Sequence, residues 1–237
     1  MTASRSIEQL IEEQVRRWEA ARRTRTPDHR HEPVITVSRL PGCYGRTLSQ
    51  ELARRLKFDF FDKELLHKVA ESSHLSETIL KSVEEKDLPA VEEWVHSLLL
   101  ERYISGDYFR HLSKVLMAIA GNGRAVILGR GAGFLLKPED CLRVLLVAPL
   151  KDRILAVAGR EGITREEAKR RVIQDESARR AFIQKHFHAD MLDPTHYDLV
   201  INTAGLGKTA AIATIQAAWA DKWKEPQPPA GAGPGAA

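Results

Sequence analysis

Cysteine is scarce in this chain, with only Cys43 and Cys141 in 237 residues. Two thiols cannot make a disulfide framework and are what a reducing compartment permits, so both are read as reduced and the protein as cytoplasmic. Long apolar runs are missing too. Nowhere do about 18 apolar residues follow one another, and the charged amino terminus lacks a continuous apolar region. The expectation is no signal peptide, no transmembrane span and no membrane partner. Neither sign of charge dominates: 36 Lys and Arg face 32 Asp and Glu, for a net charge of +4. So small an excess is weak support for a nucleic-acid partner, and no aromatic–basic motif accompanies the arginines. The histidine pairs His29/His31 and His186/His188 lack the acid or cysteine pattern of a zinc site. No internal repeat is present. The length suits one sizeable α/β domain around a single core.

What is present falls into a clear order. Ile7, Leu10, Ile11, Val15 and Trp18 recur at helical spacing, and Ser6 with Gln9 forms a candidate capping box. A helix this short is marginal alone in water, so its apolar stripe needs cover from the main domain or from a second subunit; a homodimer is one expectation. A polar linker follows from Thr24 to Glu32, making 1–32 a helix with linker, 33–223 the main domain, and 224–237 a low-complexity tail too poor in apolar bulk to pack.

Within the domain, VITVS (Val34 to Ser38) reads as a strand, a glycine-containing turn comes next, and LSQELARRL reads as a helix. FDFF (Phe58 to Phe61) is a second strand. Residues 75–121 show no strand pattern and read as a helical insertion. Ser76 is a candidate cap there, with one face traced by Val91, Trp94, Val95, Leu98, Leu99 and Arg102 and another by Phe109, Leu112, Val115, Leu116 and Ile119. AVILG near Val126, LRVLLVA (Leu142 to Ala148) and LVIN from Leu199 are further strands. The first two are near-continuous apolar runs, as sheets covered on both faces require. An arginine-rich helical stretch occupies 152–187, and a last helix follows Gly207. Alternating strands and helices imply a mostly parallel sheet of about five strands with right-handed crossovers.

The segment Ser38-Arg39-Leu40-Pro41-Gly42-Cys43-Tyr44-Gly45-Arg46-Thr47 carries the strongest chemical signal. Glycines let a backbone wrap phosphate oxygens, a helix start offers unpaired N–H groups and a positive dipole end, and a cation with a hydroxyl completes the cradle. Against the pattern G-x-x-x-x-G-K-[ST], Leu40 replaces the first glycine and Arg46 the lysine. Taken by itself, the turn reads equally as a phosphate loop or as an ordinary strand-to-helix turn.

The phrase VITVSRLPGCYGRTLSQELARRLKFDFFDKELL resembles the opening of the cytidylate kinase-like family, whose loop commonly reads S-R-x-x-G-S-G-G-R. The similarity continues at VILGRGAGFLL, LRVLLVAPLKDRI, REGITREEAKRRV, ESARRAFIQKHF and YDLVINTAGLG, over roughly residues 34 to 222. Arg46 matches that family's own pattern, whereas Cys43 and Tyr44 stand where small residues are usual, and Tyr44 is placed to narrow or cap the phosphate site.

The resemblance implies a three-layer P-loop nucleoside-monophosphate kinase-like fold with a helical insertion and a lid. It implies ATP and Mg2+ on one side of a cleft and an acceptor nucleotide on the other, CMP or a related pyrimidine nucleotide first among acceptors. By the resemblance, Gly42, Cys43, Tyr44, Gly45, Arg46 and Thr47 hold the donor phosphates, with the Thr47 hydroxyl near the metal. Arg46, Asp62, Arg160 and Arg179 are the candidate catalytic residues, Asp62 being open also to the reading of a helix N-cap. Lys63, Lys68, Arg130 and Arg179 are candidates for the acceptor. Arg130 stands in a phrase similar to G-R-D, with Gly131 in place of the acid, which bears on cytosine recognition. Arg153, Arg160, Arg170, Arg171, Arg179 and Arg180 are similar to a lid whose arginines neutralise the transferring phosphoryl group, and Asp175 or Glu176 is open as partner to one of them. Cys43, beside a helix start, is in a position that can lower a thiol pKa. Two other readings stay open: a phosphotransferase of the same fold with another small acceptor, and a nucleotide-binding regulatory protein without turnover.

Overall fold

The computed structural model describes residues 7–23, 33–80, 82 and 107–223. Five strands, β1 (Val34–Arg39), β2 (Asp59–Phe61), β3 (Ala125–Leu128), β4 (Cys141–Val147) and β5 (Leu199–Asn202), form one sheet in the order β2-β3-β1-β4-β5. Every pairing is parallel. The apolar runs of β1, β3 and β4 lie in the middle, where helices cover both faces and little alternation is expected; all four residues of β3 are buried. β1 is the switch point, since the chain leaves it toward β2 and β3 on one side and later reaches β4 and β5 on the other. In open α/β sheets the crevice at the carboxyl ends beside such a point receives ligands.

Around the sheet run α1 (Ile7–Arg23), α2 (Gly45–Leu56), α3 (Lys63–Glu71), α4 (Ser73–Leu80), α5 (Asp107–Asn122) and α6 (Ala132–Leu135), followed by α7 (Leu150–Glu161), α8 (Arg165–Phe187), α9 (Thr203–Leu206) and α10 (Lys208–Lys222). The strands expected from the pattern all form, with ends displaced by a residue or so. In α5, Phe109, Leu112, Val115, Leu116 and Ile119 are buried, as their spacing predicts. Ser76 does not cap α4: it lies inside the helix, buried, and donates its hydroxyl to the Val69 carbonyl at 2.8 Å. Ser72 takes that place, its Oγ accepting from the Leu75 N–H at 3.3 Å. The stripe from Val91 to Arg102, the capping box at Ser6, the linker 24–32 and the tail 224–237 lie outside the described residues.

The amino-terminal helix packs on its own domain. Ile11, Val15 and Trp18 are buried, and the Trp18 ring lies 5.9 Å from Phe61. Its indole N–H donates to Asp59 at 3.2 Å, Gln14 bonds the same carboxylate, and Arg17 stands 3.5 Å from it. Ile11, Val15 and Trp18 of the apolar stripe are therefore covered within the chain.

The arginine-rich stretch is two helices. Gly162, at φ +65°, ends α7, and Thr164 starts α8 with a full capping box to Glu167. Such reciprocal capping fixes the corner between them. Val157, Ala168 and Val172 form a small core apart from the main one, so the α7–α8 corner has its own packing.

Candidate active site

β1 ends in Arg39, and its ladder continues one residue further, through the Leu40 N–H donated to the Leu146 carbonyl at 3.0 Å. The chain then turns through two left-handed residues, Gly42 at φ +88° and Tyr44 at φ +53°. At Gly42 a Cβ would stand 2.5 Å from the Arg153 carbonyl oxygen, so no side chain fits this approach. Tyr44 occupies the N-cap of α2 and makes no side-chain capping hydrogen bond, and no acid lies in the first turn. The opening N–H groups of α2, from Gly45, Arg46 and Thr47, are thus left without a cap beside a positive dipole end, in a turn whose conformation suits an anion. The Thr47 hydroxyl donates to the Tyr44 carbonyl at 3.0 Å, which leaves its oxygen lone pairs as donors to a cation.

This loop floors a cleft of about 430 Å3. A second lobe of about 220 Å3 opens beside it, lined by Arg130 and Gly129 and by the apolar Phe182, Ile183 and Met191. Arg39, Lys63, Asp175 and Arg179 border both lobes.

Most of the residues singled out from the sequence converge here. Arg46 pairs with Asp62 at 2.7 Å and with Glu64 at 3.3 Å. Asp62 is also the N-cap of α3, its Oδ1 accepting from Glu64 N–H at 3.0 Å and Leu65 N–H at 2.9 Å. One carboxylate therefore anchors the start of α3 and orients the loop arginine. Arg179 donates to the Arg39 carbonyl at 2.9 Å. Its pKa is lowered by burial, against the opposing charge of Asp175. Arg130, at φ +57°, donates its Nε–H to the Lys63 carbonyl at 3.4 Å. Arg160 and Arg171 both lean on Glu161 at the α7–α8 corner and face the cleft from the lid side.

Several expectations need correction. Lys68 is exposed and lines neither lobe. Five residues beyond Lys63, it stands about 140° round the helix. Arg153 does not face the cleft. It is buried behind Gly42, donates to the Ala148 carbonyl at 3.0 Å and pairs with Glu176 at 2.8 Å. This also settles which acid pairs with it, and leaves Asp175 facing both lobes. Tyr44 is 55% exposed and stands at the rim, where it borders the cleft and an adjoining pocket formed with α7 and Thr203. His186 stacks on Phe109 at 5.1 Å and packs against Phe182, and burial lowers its pKa, so it serves as a neutral aromatic contact.

Cys43 is likewise not activated. Its side chain is fully buried, and that burial pushes its pKa up to about 11, outweighing the nearby Arg153 charge. The folded thiol holds its proton more tightly than the unfolded one, whose value is 9.0, so this contribution to stability is complete below pH 9 and is lost as pH rises through 11. Iodoacetamide at pH 8 is expected to leave Cys43 unmodified in the folded protein and to label it in urea; rapid native labelling by mass spectrometry would contradict this.

Arg39 was not among the candidates and is the main addition. Among the described residues its guanidinium has no ion pair, and desolvation, followed by the charges of Arg179 and Arg130, pushes its pKa down to about 9. It remains charged at neutral pH. Its Nη1 lies so close to Gly129 that a Cβ there would be 2.1 Å away, and a Cβ at Gly45 would meet its Cγ at 2.7 Å. Two glycines thus make room for one arginine at the border of the lobes. The available signal was a lone cation at the carboxyl end of the central apolar strand, the same argument that points to Arg130.

A parallel five-stranded sheet in this order, with an uncapped helix start at the switch point and arginines gathered from the loop and the lid, defines a P-loop phosphotransferase of the nucleoside-monophosphate kinase type. Residues 34–205 match the model of the cytidylate kinase-like family, and the chain belongs to that family. It is 31% identical over 185 residues to a cytidylate kinase of Thermococcus kodakarensis, covering 78% of this chain and 86% of that one. It is 28% identical to a cytidylate kinase of Ignicoccus hospitalis, covering 77% and 96%. A solved structure of an uncharacterized protein from Eubacterium ventriosum shares the fold at a TM-score of 0.64 and 18% identity, covering 80% of this chain and 98% of that one. No helix among the described residues is long and apolar enough to cross a membrane.

Proposed function

We propose that the protein transfers the γ-phosphoryl group of ATP to CMP or a closely related pyrimidine nucleotide, with Mg2+, in the cytoplasm. The observation that carries this reading is the meeting of two lobes at Arg39 and Arg179, one floored by an uncapped helix start and the other rimmed by Lys63 and Arg130. A donor phosphate on the loop and an acceptor phosphate beside Arg130 would place the transferred group between the two arginines. Phosphoryl transfer asks a protein chiefly for positioning and for cations where charge spreads over the equatorial oxygens.

The N–H groups of Gly45, Arg46 and Thr47 would hold the donor β- and γ-phosphates. Arg46 adds a bidentate cation, fixed by Asp62. Magnesium supplies further neutralisation of phosphate charge when bound, and the Thr47 hydroxyl oxygen is the group on the loop suited to hold it. Lys63 and Arg130 would orient the acceptor phosphate, whose oxygen attacks phosphorus as ADP departs. Arg39 and Arg179 would stabilise the charge in transit, and Arg160 would join them from the lid on release from Glu161. The buried thiols fit the cytoplasmic assignment.

The test is Arg46→Ala. Its side chain is half exposed, Glu64 is exposed, and Asp62 keeps two backbone N–H donors when the guanidinium is removed, so stability should change by no more than about 1 kcal/mol. Turnover should fall by about 10²-fold to 10³-fold, the usual cost of one preorganised charge donor. A folded variant with full activity would remove the loop from the mechanism.

A second reading, a different small acceptor, is favoured by one observation. Where the family phrase places an acid after Arg130, a Cβ on Gly131 would lie 2.3 Å from the Phe187 ring. The phenyl group occupies the space an aspartate would need, so an acceptor base must be read by other residues.

A further inference from the structure

Residues 34–205 carry the family match, so α1 lies outside it and has no part in the transfer reading above. Its contacts nevertheless lead to the phosphate loop. Gln14, Arg17 and Trp18 stand at i, i+3 and i+4, on one face of α1, and all three turn to the Asp59 carboxylate. Gln14 is buried; its amide donates to Asp59 Oδ2 while its own oxygen accepts from Arg17 at 2.5 Å. Trp18 donates to the same Oδ2 at 3.2 Å. A stripe in need of apolar cover alone requires none of these bonds, and together they fix one register of helix on strand.

Asp59 opens β2, an edge strand of three residues whose ladder runs to β3. Side chains alternate along a strand, so Asp59 and Phe61 share a face. Trp18 holds both, the first through its N–H and the second ring to ring at 5.9 Å. The next residue is Asp62, which caps α3 and pairs with Arg46 at 2.7 Å. α1 also packs against α4. One helix therefore holds the strand before α3 and the helix after it, while α3 presents Lys63 and Glu64 to the cleft. Three ladder pairs are a slight hold for a strand that has to place a charged group to within about half an ångström.

We propose that α1 is a brace for the phosphate loop, in which Trp18 and Asp59 are positioning residues that hold β2 so that Asp62 aims Arg46 at the donor phosphates. The inference rests on the transfer reading for what Arg46 does, and it gives a task to a helix which that reading leaves out.

The experiment is a double-mutant cycle in the full chain, read as the Kd for ATP with Mg2+ by calorimetry and as kcat with CMP. Asp59→Ala, Asp59→Asn and Trp18→Phe are each made alone and together with Arg46→Ala, and melting curves set a temperature at which the variants are folded. Asp59→Ala and Trp18→Phe should weaken ATP binding by about fivefold and lower kcat by about tenfold. Asparagine keeps an oxygen for Gln14 and Trp18 and gives up only the charge that faces the largely exposed Arg17, so Asp59→Asn should stay within about twofold of the parent. In the Arg46→Ala background the same substitutions should change the ATP Kd by no more than about twofold, because the group they aim is gone. Parental affinity and turnover in folded Asp59→Ala would overturn the inference and leave the transfer reading standing. Equal losses with and without Arg46 would overturn it too, since α1 would then be a structural cover. Should Asp59→Ala not fold, Trp18→Phe decides by the same cycle. Coupling to Arg46 in the ATP Kd, with no turnover by the parent, would overturn the transfer reading and keep the brace. A parent that binds no ATP would overturn both.

Discussion

Arg39→Met is expected to lower kcat by about 10³-fold while the protein melts no lower than the parent, because this charge serves the ligand at the cost of the fold. Arg39 is a desolvated cation with no ion pair among the described residues, and repulsion by its neighbours Arg179 and Arg130 outweighs the attraction of Asp62 and Asp175. Methionine keeps much of the length of the side chain between Gly45 and Gly129 and removes the charge. A partly buried charge without a partner is a liability in the empty protein and becomes favourable only when an anion arrives. Relief of about 1 kcal/mol would raise the melting temperature by about 2–4 °C in a chain of this size. Steady-state assays and a melting curve on one sample decide the matter. A variant that melts well below the parent would mean that Arg39 holds the structure together, and one that keeps full activity would mean that it does not meet the transferring group.

The opposite behaviour is expected at Arg153. Arg153→Ala should destabilise the protein by about 3 kcal/mol, because truncating one member of a buried pair leaves the other without its partner. Here Glu176 and the Ala148 carbonyl both lose their donor, and the side-chain stem that backs Gly42 disappears. Urea denaturation should show the loss as a lower midpoint with little change in slope. At a temperature where the variant is folded it should retain substantial transfer. Loss of activity with unchanged stability would return Arg153 to the phosphate-facing arginines, as its place in the sequence had suggested. Paired with Arg39→Met, the two variants separate arginines that stabilise the fold from arginines that strain it.

The contrast marks where sequence was informative. VITVS, AVILG and LRVLLVA announce central strands because a parallel sheet covered on both faces demands continuous apolar residues, and few other elements do. The turn after β1 drew attention through its glycines, and Gly42 stands where any side chain would strike the Arg153 backbone. Arginines carry no such signature. Arg153 and Arg160 lie seven apart on α7 and look alike in one dimension, yet the first is buried against α8 and the second is largely exposed on the lid. Only the packing of α7 against α8 separates them. Cys43 misled because nearness to a helix start is local while desolvation is set by the whole core. The amino-terminal helix left two ways to bury its stripe, and the choice fell to Asp59, a surface-looking acid that gathers Gln14, Arg17 and Trp18.

The most direct test of phosphoryl transfer at this site is ADP production from ATP and Mg2+ with CMP, dCMP, UMP, AMP, GMP or a nucleoside lacking phosphate as acceptor, using Arg46→Ala as the control. Turnover that requires a pyrimidine nucleotide, is greatest with CMP or dCMP and is lost in the Arg46→Ala protein is the predicted result. ATP binding with no acceptor-dependent ADP formation, or equal turnover by the Arg46→Ala protein, would contradict the account.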